Sequence, residues 1–297
     1  MPMREVGAAA LALVSAGVWW IWTWRKRVAS HFEASDASRR PLDAQGVVRG
    51  AEALHLKADT DRAVLVLHGF NDTPQSMGHL ARRLHAAGYT VLVPRLPGHG
   101  RALRDMAREA HASAWLTHVR ACHAELRARH ARVYLCGQSM GGALAVLQAV
   151  AHPDTPALAL LAPFLGMPDA LQWQARLSAF SPAPYFRSTG GERSIHDPDA
   201  RRQALGPGIV TSRMLRGLRQ VALLAERVLG QVTVPTLYLQ SRHDNRIEFA
   251  RAERCFGALA VSDKSARWLE GSGHIVSADY ERDLVADAVI DWFARHP

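Results

Sequence analysis

The sequence predicts an α/β fold in which a mostly parallel central sheet carries helices on both faces. Short, mainly apolar runs are typical of parallel strands buried on both faces, and they occur at Ala63–Leu67, Thr90–Val93, Ala157–Leu161 and Thr236–Gln240. Helical segments separate these runs, as in βαβ units. The alternation stops between residues 164 and 231, which predicts a cap inserted over the strand ends.

The composition is that of one large globular domain with an N-terminal appendage. A chain of 297 residues with 48% hydrophobic residues can bury a single large core. We expect a membrane anchor over residues 1–28, a polar linker over 29–46 and the globular domain over 47–297, with the cap at about 164–231. The cysteines show no metal-ligand spacing and are expected to be buried packing residues: Cys122, Cys136 and Cys255.

The chain is strongly basic, with a net charge of +9 at pH 7 that comes almost entirely from arginine. No predicted helix carries a basic stripe interleaved with aromatic residues, so the sequence gives no reason to expect nucleic-acid binding. The charge favours attraction to an anionic membrane surface instead. No feature of the sequence indicates a particular oligomeric state.

The segment Val6–Trp24 contains no charged residue and predicts one transmembrane helix, since at about 1.5 Å per residue it just spans a hydrocarbon core. Four tryptophans crowd its C-terminal end, where indoles favour the membrane interface: Trp19, Trp20, Trp22 and Trp24. Because Arg25–Arg27 follow at once, the sequence predicts a single-pass protein of a bacterial inner membrane with a cytoplasmic globular domain. A cleaved signal peptide is the alternative, although it normally carries positive charge before its apolar run.

A serine framed by glycines joins the apolar run Arg132–Gln138 to a helical run. The order Gly137-Gln138-Ser139-Met140-Gly141 fits the Gly-x-Ser-x-Gly pattern of a nucleophile elbow, a sharp turn between strand and helix. Glycines are needed because strand and helix nearly touch there. The turn raises the Ser139 hydroxyl above the sheet edge and directs the Met140 N–H at the place where a tetrahedral oxyanion would form. The pattern alone could arise by chance, so the context of the motif decides its weight.

An acid and a histidine follow in the order that such a serine requires. A serine hydroxyl needs a base to take its proton and an acid to orient that base. Asp244 follows the strand Thr236–Gln240, and His274 lies in a glycine-flanked loop after the next predicted strand. Both loops therefore open on the sheet edge that carries Ser139. The alternative is that Asp244 is a solvated turn residue; Asp263 is a poor substitute for it, because no strand precedes Asp263.

From about Ala63 to Pro297 the chain resembles the bacterial carboxylesterase and monoacylglycerol lipase branch of the αβ-hydrolases, also described as lysophospholipase-like or serine-aminopeptidase-like. The matching motifs are His68-Gly69-Phe70, Leu96–Gly100, Gly137–Gly142, Arg242–Asp244, and Gly273-His274 followed by Asp279 and Arg282. The resemblance implies the αβ-hydrolase fold and a catalytic triad of Ser139, Asp244 and His274. It also implies that the Phe70 N–H is the second oxyanion-hole donor beside Met140.

Together these motifs predict a serine hydrolase that cleaves carboxylic esters through an acyl-enzyme intermediate. The apolar cap and the N-terminal segment favour acyl-glycerol or other lipid-like substrates. An acyltransferase or a peptidase with the same triad is an alternative, and so is a non-catalytic binding module, although the motifs show no damage. The histidines form no metal-ligand pair with a carboxylate, so we expect no metal, and we expect no cofactor either. His68 and His99 are expected to shape loops, with contact to the substrate as the alternative.

Overall fold

The structure is a computed structural model that describes the backbone of residues 3–297 and the side chains of residues 13–297. Its helices are α1 Met3–Arg39, α2 Gly78–Ala86, α3 Leu103–Glu109, α4 Ala112–Arg127, α5 Met140–Ala151, α6 Asp169–Leu177, α7 Pro198–Gln203, α8 Ser212–Arg227, α9 Phe249–Ala258 and α10 Arg282–Ala294. Its strands are β1 Leu54–Leu56, β2 Arg62–Leu67, β3 Thr90–Val93, β4 Arg132–Gln138, β5 Leu158–Leu161, β6 Phe186–Arg187, β7 Ile209–Val210, β8 Thr236–Ser241 and β9 Lys264–Leu269.

Seven strands form the central sheet in the order β1-β3-β2-β4-β5-β8-β9. All neighbouring pairs are parallel except β1 with β3, which are antiparallel at the edge. Strands β3, β5 and β8 are buried along their whole length, and β2 and β4 along all but their first residue. Burial of this kind requires cover on both faces of the sheet. The predicted α/β fold with a mostly parallel sheet is therefore confirmed.

An insertion separates β5 from β8, in the range where the sequence predicts a cap. It contains α6, α7, α8 and a small two-stranded antiparallel sheet of β6 and β7. Helix α8 packs its apolar face against α4 and α5, and α6 packs on α8. The insertion is thus attached to the sheet domain through helix packing rather than through added strands.

The polar linker predicted over residues 29–46 is instead helical as far as Arg39, because α1 continues without a break. Phe32 packs on the ring of Tyr185 in the insertion, with ring centroids 5.8 Å apart. The hydroxyl of Tyr185 donates to Glu33 Oε1 at 2.8 Å. Contacts with a segment more than 150 positions away hold this helix. Such contacts cannot be inferred from the composition of residues 29–46, so the sequence predicted a linker there.

A buried ion pair fixes the end of α1. Arg40 and Asp36 lie one helical turn apart, and their closest N···O distance is 2.5 Å, with both side chains almost fully buried. Arg40 also donates to the carbonyl oxygen of Leu205 at 3.3 Å and to that of Arg101 at 3.5 Å. A buried pair with its remaining donors satisfied gives the junction one defined geometry.

Within the described residues, no helix has enough apolar length to cross a lipid bilayer. The transmembrane prediction concerned Val6–Trp24, and the side chains of residues 6–12 lie outside the described part of the chain. That prediction therefore has no support from the structure.

Candidate active site

Ser139 occupies a sharp turn between β4 and α5. Its backbone has φ 55° and ψ −119°, a conformation that residues other than glycine adopt only at a cost of about 1–3 kcal/mol. Hydrogen bonds on both sides hold the turn: the Ser139 N–H donates to the carbonyl of Leu161 at 2.9 Å, and its carbonyl accepts from the Phe164 N–H at 2.9 Å. Strand β5 and the residues after it thus hold the strained serine in place.

The glycines of the motif are required by close backbone packing. A Cβ atom on Gly137 would collide with the carbonyl of Gly141, and one on Gly141 would collide with the carbonyl of Leu67 at the end of β2. A Cβ on Gly142 would meet the ring of Pro163 at 2.7 Å. Strand β4 and helix α5 can meet at this turn only because these positions lack side chains.

The structure brings Ser139, Asp244 and His274 together, although their loops are far apart in the chain. Nε2 of His274 lies 2.8 Å from the Oγ of Ser139, and its Nδ1 lies 2.7 Å from Oδ2 of Asp244. The Nδ1–H therefore donates to the carboxylate, which leaves Nε2 to accept the serine proton. Ser139 is 8% exposed and His274 7%, so the chain of hydrogen bonds is largely shielded from water.

The carboxylate of Asp244 is held by backbone and side-chain donors. Oδ1 accepts from the N–H groups of Arg246 at 2.7 Å and Ile247 at 3.0 Å, and Oδ2 accepts from Nε2 of Gln240 at 2.8 Å. Burial opposes ionisation, but the charge of His274 and these hydrogen bonds outweigh it, so the pKa of Asp244 lies below its ordinary value. The group is an anion at neutral pH. Gln240 was not predicted as a site residue. Its position near the carboxyl end of β8, where the acid follows, could have indicated a contact with Asp244.

The alternative acid, Asp263, lies elsewhere. Its Oδ2 is 2.9 Å from Nε2 of His296, and its side chain is 57% exposed. Asp263 is thus paired with a different histidine.

A glutamine of the elbow fixes the loop that carries the histidine. Gln138 Nε2 donates to the carbonyl of His274 at 2.9 Å, and Gln138 Oε1 accepts from the Ser277 N–H at 3.3 Å. The side chain is completely buried. The residue before the nucleophile therefore helps to set the height of His274 over Ser139, a role that the pattern Gly-x-Ser-x-Gly leaves unspecified.

Asp279 ties the histidine loop to the insertion. Its buried carboxylate accepts four backbone N–H groups: Gly273 at 2.7 Å, His196 at 2.7 Å, Asp197 at 2.8 Å and Tyr280 at 2.9 Å. In the sequence, Asp279 is recognisable only as part of the motif that follows His274. Its partners in the insertion lie more than 80 positions away, so no local pattern reveals this function.

The two N–H groups predicted to stabilise an oxyanion flank Ser139. Met140 is the first residue of α5, so its N–H has no acceptor within the helix. Within the described part of the chain, the N–H of Phe70 donates to no protein acceptor either. A Cβ added to Gly69 would stand 3.3 Å from the Cβ of Ser139, which places the loop containing Phe70 directly beside the serine.

Two buried histidines, His68 and His99, lie near this loop. His68 donates through Nδ1 to the carbonyl of Gly69 at 2.9 Å, and its Nε2 accepts from the Leu96 N–H at 3.1 Å. Burial lowers the pKa of His68 well below its ordinary value and that of His99 to about 4, so both rings are neutral at pH 7. The bonds of His68 join the loop after β2 to the loop after β3.

Backbone strain is concentrated around the serine. Among the described residues, three that are not glycine have a left-handed φ: Asn71 at 59°, Ser139 at 55° and Ala162 at 41°. They follow the carboxyl ends of β2, β4 and β5. Such conformations persist where the surrounding structure fixes them, and they are frequent at functional sites.

The insertion contacts the loops around Ser139. Asn245 donates to the carbonyl of Gly190 at 2.6 Å, and Arg246 donates to the Oγ of Ser194 at 3.1 Å, both beside the acid.

Among residues 13–297, no group of three or more His, Cys, Asp or Glu side chains is arranged to hold a metal ion. The arrangement of the site is suited to attack by a serine on an acyl carbon, with N–H groups that receive the negative charge.

Comparison with known proteins gives a family match over most of the chain. The family model described as Hydrolase_4, serine aminopeptidase S33, matches residues 58–281. The matched range contains all five predicted site residues: Phe70, Ser139, Met140, Asp244 and His274.

Individual relatives agree with this match. The chain is 29% identical over 251 residues to a thermostable monoacylglycerol lipase of Bacillus sp. strain H-257, covering 84% of this chain and 97% of that protein. It is 25% identical over 236 residues to a carboxylesterase of Bacillus subtilis strain 168, covering 79% and 93%. A solved structure from a study of two metagenome-derived lipolytic enzymes, LipS and LipT, matches with a TM-score of 0.76 and 29% identity, covering 84% of this chain and all of the other.

Proposed function

This chain belongs to the serine aminopeptidase S33 family, and we propose that it is a serine hydrolase which cleaves carboxylic esters of lipid-like substrates through an acyl-enzyme. Its fold is that of the αβ-hydrolases. The observation that carries the proposal is the unbroken hydrogen-bond chain from Ser139 through His274 to Asp244. The named activities of its relatives, monoacylglycerol lipase and carboxylesterase, support an ester as the substrate.

Acylation begins when Nε2 of His274 takes the proton of the Ser139 hydroxyl as its oxygen attacks the ester carbonyl. The negative charge that develops on the carbonyl oxygen is received by the N–H groups of Phe70 and Met140. Asp244 stabilises the imidazolium that forms, because its carboxylate accepts the Nδ1–H. His274 then donates its proton to the departing alcohol oxygen, and the acyl group remains on Ser139.

Deacylation repeats these steps with water as the nucleophile. His274 removes a proton from the water molecule, whose oxygen attacks the acyl carbon. The same two N–H groups stabilise the second tetrahedral intermediate. Collapse of that intermediate releases the carboxylic acid and returns the proton to Ser139.

Apolar side chains on the insertion support a lipid-like substrate. Trp173, Leu177 and Phe180 lie on α6 and the turn after it, with exposed fractions of 58%, 61% and 86%. Large apolar side chains exposed together favour contact with the acyl chains of a substrate.

A panel of substrates tests this function on the full chain purified in detergent. We expect hydrolysis of p-nitrophenyl esters and monoacylglycerols, with longer acyl chains preferred over acetate. An aminoacyl p-nitroanilide serves as the peptidase arm and is expected to be cleaved at least about a hundredfold more slowly than the best ester. Faster cleavage of the anilide, or no ester hydrolysis at all, would contradict the proposal.

We further propose that the N-terminal segment holds the enzyme at a bacterial inner membrane, with the catalytic domain on the cytoplasmic side. Six described apolar side chains of α1 are 52–75% exposed: Leu13, Val14, Val18, Trp19, Trp20 and Trp22. Arg25–Arg27 follow them, and basic residues next to an apolar segment favour the cytoplasmic face. In water such an exposed apolar surface is unfavourable, whereas lipid covers it.

Fractionation tests this location. The full chain is expected in the membrane fraction after a high-salt wash, and its C-terminus is expected to resist protease added outside the inner membrane. Replacement of Trp19, Trp20 and Trp22 by serine should release a large part of the protein. Trp173→Ser, which alters an exposed tryptophan of the insertion, is the matched control and should leave it bound. A mature N-terminus after about residue 30 would show a cleaved signal peptide instead.

A further inference from the structure

A buried carboxylate that belongs to neither the triad nor the oxyanion hole lies in the loop between β2 and α2. The side chain of Asp72 folds back on its own loop, where Oδ1 accepts from the Thr73 N–H at 2.8 Å and Oδ2 accepts from the Ser76 hydroxyl at 2.6 Å. Asp72 is two residues beyond Phe70, whose N–H is a proposed oxyanion donor. The carboxylate therefore helps to fix the shape of the segment that carries this donor.

Asp72 is also joined to the histidine loop by hydrogen bonds. The carbonyl of Ser76 accepts from the Ser277 hydroxyl at 3.1 Å, and the Ser277 N–H donates to Gln138 at 3.3 Å. Asp72, Ser76, Ser277 and Gln138 are all buried. One buried polar network thus connects the oxyanion loop, the histidine loop and the elbow, and its members depend on one another.

Gly69 lies close to both this carboxylate and the nucleophile. A Cβ on Gly69 would stand 3.8 Å from Oδ2 of Asp72 and 3.3 Å from the Cβ of Ser139. Asp72 faces the uncharged Thr73 and Ser76 from its own segment. From the opposite loop, His274 is the titratable group that acts on it.

We propose that Asp72, as a carboxylate, is a positioning residue that holds the Phe70 N–H in place for the oxyanion. Both oxygens of the ionised group act as acceptors, and protonation converts one of them into a donor. A proton on Oδ2 makes the Ser76 hydroxyl accept from Asp72 and donate to the Thr73 carbonyl, 3.1 Å away, whereas a proton on Oδ1 removes the acceptor of the Thr73 N–H. Either change weakens the hold of the carboxylate on the loop. Positioning by Asp72 is thus complete in neutral solution and weaker in acid.

The position of this transition follows from burial. Burial raises the pKa of Asp72 from 3.8 to about 6, with hydrogen bonds from Ser76 and Thr73 and the charge of His274 opposing the rise. Because the folded state binds this proton more tightly than the unfolded state, Asp72 lowers stability as pH rises from about 4 through about 6. Because ionised Asp72 lowers stability at neutral pH and lies close to the nucleophile, a function in activity explains it better than a function in folding.

The test compares Asp72→Asn with wild type in kcat, KM and melting temperature. Asparagine keeps an acceptor for the Thr73 N–H but cannot ionise, so it resembles the protonated form. We expect kcat at about pH 8 to fall roughly tenfold with little change in KM, since the affected N–H acts mainly on the transition state. Asp72→Ala removes both acceptors and should lower kcat further, by about a hundredfold.

The pH dependence separates positioning from a general structural function. The wild-type to Asp72→Asn ratio of kcat should be about ten at pH 8 and approach one at about pH 5, where wild type is itself protonated. The melting temperature of Asp72→Asn at pH 8 should be no lower than that of wild type. A ratio that does not change with pH, or an unaltered kcat, would overturn the inference.

Two further proteins complete the experiment. Asp43→Asn is the matched control, because Asp43 accepts backbone N–H groups in a similar turn, from Gln45 at 2.9 Å and Val47 at 2.8 Å, and is bonded to no site residue. If the Asp72 variants fail to fold, Ser76→Ala replaces them. Loss of the Ser76 donor should shift the acid limb of kcat to higher pH, and an unmoved limb would contradict the inference.

The inference rests on the proposed ester hydrolysis, and the design keeps the two apart. Absence of esterase activity in both wild type and Asp43→Asn would remove the proposed function. Full activity in Asp72→Asn, with active wild type and control, would remove only the positioning function of Asp72.

Discussion

Ser139→Ala is expected to lower ester turnover by about a million-fold while the protein remains folded. Without the hydroxyl no acyl-enzyme can form, and His274 and the N–H groups of Phe70 and Met140 are left with only a weakly assisted attack by water. The turn should keep its shape in this variant, because the hydrogen bonds that hold residue 139 at φ 55° come from its backbone and not from its side chain. Initial rates on the best p-nitrophenyl ester, with circular dichroism as the check on folding, measure this loss.

The matched control is Ser265→Ala, which removes an exposed hydroxyl from β9. It should leave turnover within about twofold of wild type, as expected of a surface substitution. Turnover by Ser139→Ala at more than about a hundredth of the wild-type rate would mean that another nucleophile, or water acting directly, performs the reaction.

Asp244→Asn should lower turnover by about ten-thousand-fold at neutral pH. The amide has nearly the shape of the carboxylate, so the acceptors for the Arg246 and Ile247 N–H groups can be kept. An amide N–H facing Nδ1 of His274, however, favours the tautomer that carries its proton on Nε2. That tautomer cannot accept the Ser139 proton, and the charge that stabilises the imidazolium is also lost.

Because the residues act as one unit, His274→Ala should be about as damaging, and the double variant with Asp244→Asn no worse than the more damaging single change. Glu248→Gln is the control, since it neutralises a nearby exposed carboxylate that precedes α9. Near-normal activity in Asp244→Asn together with a large loss in Glu248→Gln would show that the acid has been assigned to the wrong residue.

Local sequence features were sufficient to predict the sheet and the position of the serine. Apolar runs such as Ala63–Leu67 predicted buried parallel strands because strands covered on both faces have no polar side to alternate. Gly137 and Gly141 marked the elbow because the close approach of β4 to α5 excludes any side chain there. The apolar runs are recognisable from neighbours within a few residues, and the elbow is recognisable because only glycine fits the close approach of the backbone.

Features that depend on long-range contacts were not predicted. Asp279 accepts from the His196 and Asp197 N–H groups, and Arg40 donates to the Leu205 carbonyl, so neither set of contacts is visible in a local window. The helical continuation of α1 was missed for the same reason. Its polar residues have the composition of a linker, and the contact between Tyr185 and Glu33 that holds the helix is visible only in the structure. Asp72 follows His68-Gly69-Phe70 closely in the sequence, but its burial depends on the packing of the loop against the rest of the domain and is not visible in the local pattern.

The most direct test of the account is to map the site of reaction with a fluorophosphonate, which forms a stable bond to an activated serine. The full-length protein would be labelled, digested and sequenced by mass spectrometry. We expect a single adduct, on the peptide containing Ser139, with labelling greatly slowed in Asp244→Asn and absent in Ser139→Ala. An adduct on any other residue, or labelling of Ser139→Ala at the wild-type rate, would contradict it.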